Sequence, residues 1–262
     1  MSSLSIMLFF SILPVILILV FVYSFDKAKE PFPLLLQFFG LGIISCILVL
    51  AVSDIMALFI PIMRLNLDDM NFLETMFYAF IGVALVEEAC KWIMVYFRGY
   101  NHNEFDEVYD IIVYAVVVSL GFAFIENIIY VFGSGTLSTA LLRAVSAVPG
   151  HACDAIFMGY YLSVAKQFQL QNRKDLERRN ILLSILIPAI LHGIYDFCLM
   201  SGLIILILIF FIFVIFLYII SIKKLHEISS HNRKIKFKNN FCPSCGAKIE
   251  GQFCSRCGTR QE

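Results

Sequence analysis

Three ionisable residues interrupt a stretch where apolar sequence would otherwise run unbroken. From Phe77 to Tyr96 the chain reads FYAFIGVALVEEACKWIMVY, with Glu87, Glu88 and Lys91 inside a run long enough to cross a bilayer. A charge near the centre of a membrane helix costs roughly 2.5–3.5 kcal/mol on insertion scales, so such residues turn towards a protein interior and usually carry function. Lys91 follows Glu87 by four positions and Glu88 by three, and both spacings set an ammonium beside a carboxylate on one helix face. Mutual neutralisation explains one acid and leaves the other. Adjacent carboxylates in a low dielectric do not both ionise cheaply, which makes one of them a candidate general base.

Three further apolar stretches supply complementary groups. EFDEVYDIIVYAVVVSLGFAFIENIIY carries Asp110, Phe122, Glu126 and Asn127, with the small residues Gly121 and Ala123 beside them. RAVSAVPGHACDAIFMGYY carries His151 and Asp154 just after Pro149–Gly150, a pair that favours a kink or local opening where a cavity is lined. AILHGIYDF places His192 and Asp196 one helical turn apart, so the carboxylate can accept from an imidazole nitrogen and fix its tautomer. Each residue alone fits an interhelical hydrogen bond. Together they provide a base for water and imidazoles to donate protons or bind a metal. That is the inventory of a hydrolytic site or of a proton- or metal-conducting path, and residue types do not decide between them. A membrane scaffold or receptor using the same contacts structurally is a third reading; a transporter commonly shows internal repeats, and none is visible.

The elements that must position these groups are membrane helices. Of 262 residues, 60% are hydrophobic and 15% charged, and the mean hydropathy is +0.85, against about 45–50% apolar and 25% charged for soluble domains. The expected architecture is an all-α polytopic membrane protein. Seven stretches, near 5–25, 33–53, 73–97, 108–132, 138–165, 180–200 and 202–222, reach the roughly 20 residues that a span requires. The apolar piece MALFIPIM within 54–71 is short and charged at its end, which reads as an interfacial or re-entrant element. The run from Ser5 lacks a basic leader and a small-x-small site, so it reads as an uncleaved first span. With seven spans, Lys27, Lys29, Arg98, Lys166, Arg173, Lys174, Arg178, Arg179 and the tail from Lys223 fall on one side and Arg64 on the other. The positive-inside rule then puts the C-terminus in the cytoplasm. A plasma membrane and a lipid-embedded partner are expected, and no nucleic acid.

The tail divides in two. Residues 223–240 read as a basic cytoplasmic linker suited to an anionic leaflet. In 241–262, Cys242, Cys245, Cys254 and Cys257 form two Cys-x-x-Cys pairs, each followed by glycine, and this spacing predicts a short zinc ribbon with a structural Zn2+. Metal binding would supply most of its folding energy. The ribbon reads as a structural appendage or as an interaction module for a cytoplasmic partner, and not as the active site. The other cysteines, Cys46, Cys90, Cys153 and Cys198, lie singly in apolar stretches, where thiols act as small hydrophobes.

In order, EEACK, FAFIEN, His151 and HGIYD follow the pattern EExxK, FxxxEN, H, HxxxD. This pattern resembles the PrsW family of intramembrane proteases, distant relatives of the CAAX prenyl endopeptidases and of the Aph subunit of gamma-secretase. The resemblance covers roughly residues 35–200 and leaves the tail outside; residues 1–222 read as the protease domain. One departure is visible: the family usually has glycine after the aspartate matching Asp110, where this chain has Ile111, and altered packing is expected there. The resemblance implies an intramembrane peptide-bond hydrolase acting on membrane proteins. In the family's founding case the substrate is an anti-sigma factor cut on its extracytoplasmic side.

On that basis Glu87 or Glu88 is expected to activate water, with His151 and His192 polarising the scissile carbonyl or stabilising the developing oxyanion, and one of them protonating the leaving amine. Asp196 would orient His192, Glu126 would position water or share a proton, and Lys91 would neutralise the unused acid, with Phe122, Asn127 and Asp110 in support. A metal-dependent variant would use His151, His192 and Glu126 as ligands. No His-Glu-x-x-His helix, serine elbow or presenilin-type aspartate pair is present, which excludes those routes.

Overall fold

A computed structural model describes residues 3–232 together with 256 and 257. Among them the structure is helical. Helix α1 spans Ser3–Phe25 and α2 spans Phe32–Phe59, followed by single 3-10 turns at Pro61–Arg64 and Leu67–Asp69. A continuous helical run then passes through α3 (Phe72–Phe77), a wide π-type segment (Tyr78–Leu85) and α4 (Val86–Gly99). Next come α5 (Asp110–Ser134), the short α6 (Leu137–Val145), α7 (Ala147–Leu170), α8 (Lys174–Met200) and α9 (Ile204–Ser230). Helices α1, α2, α5, α8 and α9 are long and apolar enough to cross a membrane by length and composition. The chain is an all-α, multi-pass integral membrane protein.

Local sequence explains the boundaries. Asn71 accepts from the backbone of Leu73 and Glu74 while the Glu74 carboxylate accepts from the Asn71 N–H, a capping box that fixes the start of α3. The expected fifth span breaks at Ser146 (φ −125°, ψ −59°), which separates α6 from α7. Pro149 sits in the first turn of α7, where its missing N–H is tolerated. The carbonyl it cannot serve, that of Val145, accepts instead from the Tyr218 hydroxyl of α9 at 2.7 Å. The interfacial piece near residue 60 also differs from expectation: α2 carries on through Phe59 before Pro61 ends it.

α5 is the central helix, buried at every position from Asp110 to Ala123. It approaches α2 closely because Gly121 faces the Phe39 backbone and Gly42 faces the Val118 carbonyl and Gly121, positions with no room for a Cβ. Ile111, the departure from the family pattern, is fully buried and packs against Gly99.

At the end of the bundle where α1 joins α2, Glu30 is 5% exposed and accepts from the Tyr114 hydroxyl at 2.7 Å. Burial pushes its carboxyl up to about 7 despite that bond. The expected linker begins as helix: α9 extends to Ser230, with Leu225 and Ile228 buried and the Ser229 hydroxyl donating to the Phe25 carbonyl. Residues 233–240 of the linker lie outside the described residues, as do Cys242, Cys245 and Cys254 of the expected ribbon.

Candidate active site

Four helices bring the polar groups together. Glu87, Glu88 and Lys91 occupy the first turns of α4, directly after the π segment, and all three are buried. A π turn re-aims the side chains that follow it and is common at functional sites. Glu126 comes from α5, His151 from the second turn of α7, and His192 and Asp196 from α8. Two contacts hold the frame: the Trp92 indole N–H donates to Ser184 Oγ at 2.8 Å, joining α4 to α8, and Ser119 Oγ donates to the His151 carbonyl at 2.8 Å, joining α5 to α7. Gly193, beside His192, leaves room for the Phe80 ring of the π segment to lie against the α8 backbone.

The polar chain is continuous. Lys91 Nζ lies 2.7 Å from Glu88 Oε1, 3.4 Å from Glu87 Oε2 and 3.0 Å from His151 Nδ1, and 4.1 Å above the Phe122 ring. An ammonium only donates, so His151 Nδ1 is the acceptor and its Nε2–H donates to Glu126 Oε2 at 2.8 Å. Glu88 Oε1 also takes His192 Nδ1–H at 2.9 Å. This leaves His192 Nε2 facing Asp196 Oδ2 at 3.4 Å and Glu87 Oε2 at 3.9 Å. A gap of that width between acceptors suits a bridging water.

A cavity of about 30 Å³ adjoins these groups, lined among others by Glu126, Arg143, His151, Asp154, His192 and Asp196. It has room for a water molecule. Asp154 Oδ1 and Asp196 Oδ2 are buried there without a hydrogen-bond partner, and a buried carboxylate oxygen demands a donor. Glu88 is wholly buried, whereas Glu87 keeps 6% exposure.

Most of the expected site residues converge, and two, Asp110 and Asn127, stand off the cavity. Asp110 stands 16 residues before Glu126 on α5, about 24 Å away along the helix, where it accepts from the Asp106 and Glu107 N–H groups. Asn127 points away from the cavity, donating to the Ser11 carbonyl and accepting from Arg143. Sequence reasoning did not single out Arg143, which pairs with Glu126 at 2.7 Å; its signal was a lone arginine inside an expected span. Asp154 was noticed beside His151 but its place on the cavity was not legible.

The donor set also accommodates a metal ion. Glu87, Glu88, His151 and His192 each bring one ligand atom to within 4.8 Å of the others, and Glu88 Oε2 is a buried oxygen without a partner. Two imidazoles and two carboxylates suit zinc. This set replaces the expected trio, since Glu126 instead meets His151 and Arg143. An ion held there would share donors with the Lys91 ammonium.

Comparison with known proteins identifies the family. Residues 30–220 match the model of the PrsW family of intramembrane metalloproteases. The chain is 39% identical over 191 residues to protease PrsW of Oceanobacillus iheyensis, covering 72% of this chain and 80% of that one. It is 30% identical over 233 residues to protease PrsW of Clostridioides difficile, covering 87% and 94%. With protease PrsW of Bacillus subtilis it shares 35% identity over 189 residues, covering 72% and 80%. No solved structure matches.

Proposed function

The chain belongs to the PrsW family of intramembrane proteases, and from that premise we propose that it cleaves single-span membrane proteins by glutamate-activated water, near the extracytoplasmic face of a bacterial plasma membrane. The observation that carries this reading is the 3.9 Å separation between Glu87 Oε2 and His192 Nε2, with His192 also lining a cavity of water size.

Glu87 is the base, because it keeps some exposure while Glu88 is spent on Lys91 and His192. As the water oxygen bonds to the scissile carbonyl carbon, Glu87 takes its proton. The carbon–nitrogen bond then breaks while that proton passes through His192 Nε2 to the leaving amine. Glu88 holds the His192 tautomer that allows this, and Asp196 restrains the same ring edge. Glu126 orients His151, and Lys91 keeps the adjacent acids together. A divalent ion held by Glu87, Glu88, His151 and His192 would supply Lewis-acid polarisation and lower the pKa of bound water.

The depth of the site supports cleavage near one face. Glu126, His151, His192 and Asp196 lie within eight residues of the helix ends at Ser134, Ala147 and Met200, or about 12 Å. That end carries few basic loop residues, so the positive-inside rule places it outside and the C-terminus in the cytoplasm. The four tail cysteines would hold a structural zinc ion there and offer a cytoplasmic docking module.

Comparative membrane proteomics of wild-type and Glu87→Ala cells tests the reading. A full-length single-span protein should accumulate in the variant, and identical profiles would remove it.

A further inference from the structure

We propose that Arg143 is a further catalytic residue, the cation that receives the negative charge developing on the scissile carbonyl oxygen. The inference rests on the proteolytic reading above.

Arg143 lies on α6, outside the spanning helices, and reaches inward to the cavity wall beside His151, His192 and Asp196. Three contacts hold its guanidinium: Nη2 donates to Glu126 Oε2 at 2.7 Å, Nε donates to Asn127 Oδ1 at 2.9 Å, and Cζ stacks 4.1 Å from the Tyr130 ring centroid. A guanidinium carries five N–H donors, and these bonds use two. The remaining donors belong to a group that lines the cavity. Lys91, the other cation of the cluster, is fully buried, donates to Glu87, Glu88 and His151, and does not line the cavity.

Among the described residues lining the cavity, Arg143 is the one with a permanent positive charge. Fixed donors aimed at developing charge in a water-poor site give the largest electrostatic stabilisation available to an enzyme. As water adds, the carbonyl π electrons move to oxygen and an Arg143 N–H donates to it. When the carbon–nitrogen bond breaks, the carbonyl reforms and the bond relaxes. Arg143 gains and loses no proton.

The test uses the protein that accumulates in Glu87→Ala cells as substrate, with purified full-length enzymes in liposomes. Arg143→Gln should lower kcat about 10²–10³-fold, with KM and melting temperature close to wild type. Arg143→Lys, which keeps the charge and loses the fork, should lower kcat about tenfold and serves if the glutamine variant does not fold. Guanidinium added to Arg143→Ala should restore turnover without moving its melting temperature. Wild-type kcat in Arg143→Lys or Arg143→Gln, or a loss confined to stability, overturns the proposal. If Glu87→Ala cells accumulate nothing, the proteolytic reading fails and this inference fails with it. If Glu87→Ala is inactive and Arg143→Gln is not impaired, this inference alone fails.

Discussion

Glu88 and His192, 104 positions apart in the chain, are joined by a hydrogen bond of 2.9 Å between Oε1 and Nδ1. The same oxygen holds Lys91 at 2.7 Å, so one carboxylate sets both the tautomer of the imidazole and the position of the ammonium. Carboxylates in this relation to a working histidine typically contribute 10–100-fold. Glu88→Gln, whose amide no longer enforces the Nδ1–H form, is expected to lower turnover by about that factor with the protein still inserted. Cleavage kinetics alongside a detergent melting curve check it.

Lys91→Met should be a stability variant first. It leaves Glu87 and Glu88 buried without their cation, and breaking a buried pair in this way costs about 3–5 kcal/mol. Denaturant unfolding in mild detergent should show the loss, and a midpoint equal to wild type would contradict the assigned pairing.

The difference between these two variants shows what was readable beforehand. The i, i+3 and i, i+4 spacings around Lys91 are local, so its pairing with both glutamates followed from helix geometry alone. The link from Glu88 to His192 is tertiary and depends on how α8 packs on the π segment. Five of the seven expected spans, those of α1, α2, α5, α8 and α9, were legible from apolar length. The break at Ser146 was not, because it depends on the tertiary contact from Tyr218 that satisfies the carbonyl left by Pro149. Arg143 was hidden for the same reason: it lay inside an expected span, and α6 carries it to the cavity wall.

Gly193→Leu should abolish turnover while leaving the helices inserted. Any side chain at this position meets the Phe80 ring, forcing α8 and His192 away from Glu88. Adding Phe80→Ala in the same chain should recover part of the activity, measured as cleavage rate at matched protein level.

Glu30 predicts a pH dependence of stability away from the site. Burial lifts its carboxyl from the ordinary 4.5 to about 7, so the folded state binds the proton more tightly. The contribution is fully present below about pH 4.5 and is lost as pH rises towards 7. Glu30→Gln should flatten the melting temperature across this window and exceed wild type at pH 8. Parallel pH profiles for the two proteins would count against it.

Orientation can be read with thiols. Thr136→Cys, in the connection before α6, should react with a membrane-impermeant maleimide in intact cells, and Gln171→Cys only after permeabilisation, with modification at each site read by mass spectrometry. The reverse pattern would place the site towards the cytoplasm.

The most direct measurement is the turnover of the accumulated single-span protein by purified Glu87→Gln in liposomes. Water activation by Glu87 predicts a loss of at least about 10³-fold, in the upper range of general acid–base catalysis, in a protein that melts like wild type. Cleavage within about threefold of wild type would contradict the assignment of Glu87 as the base.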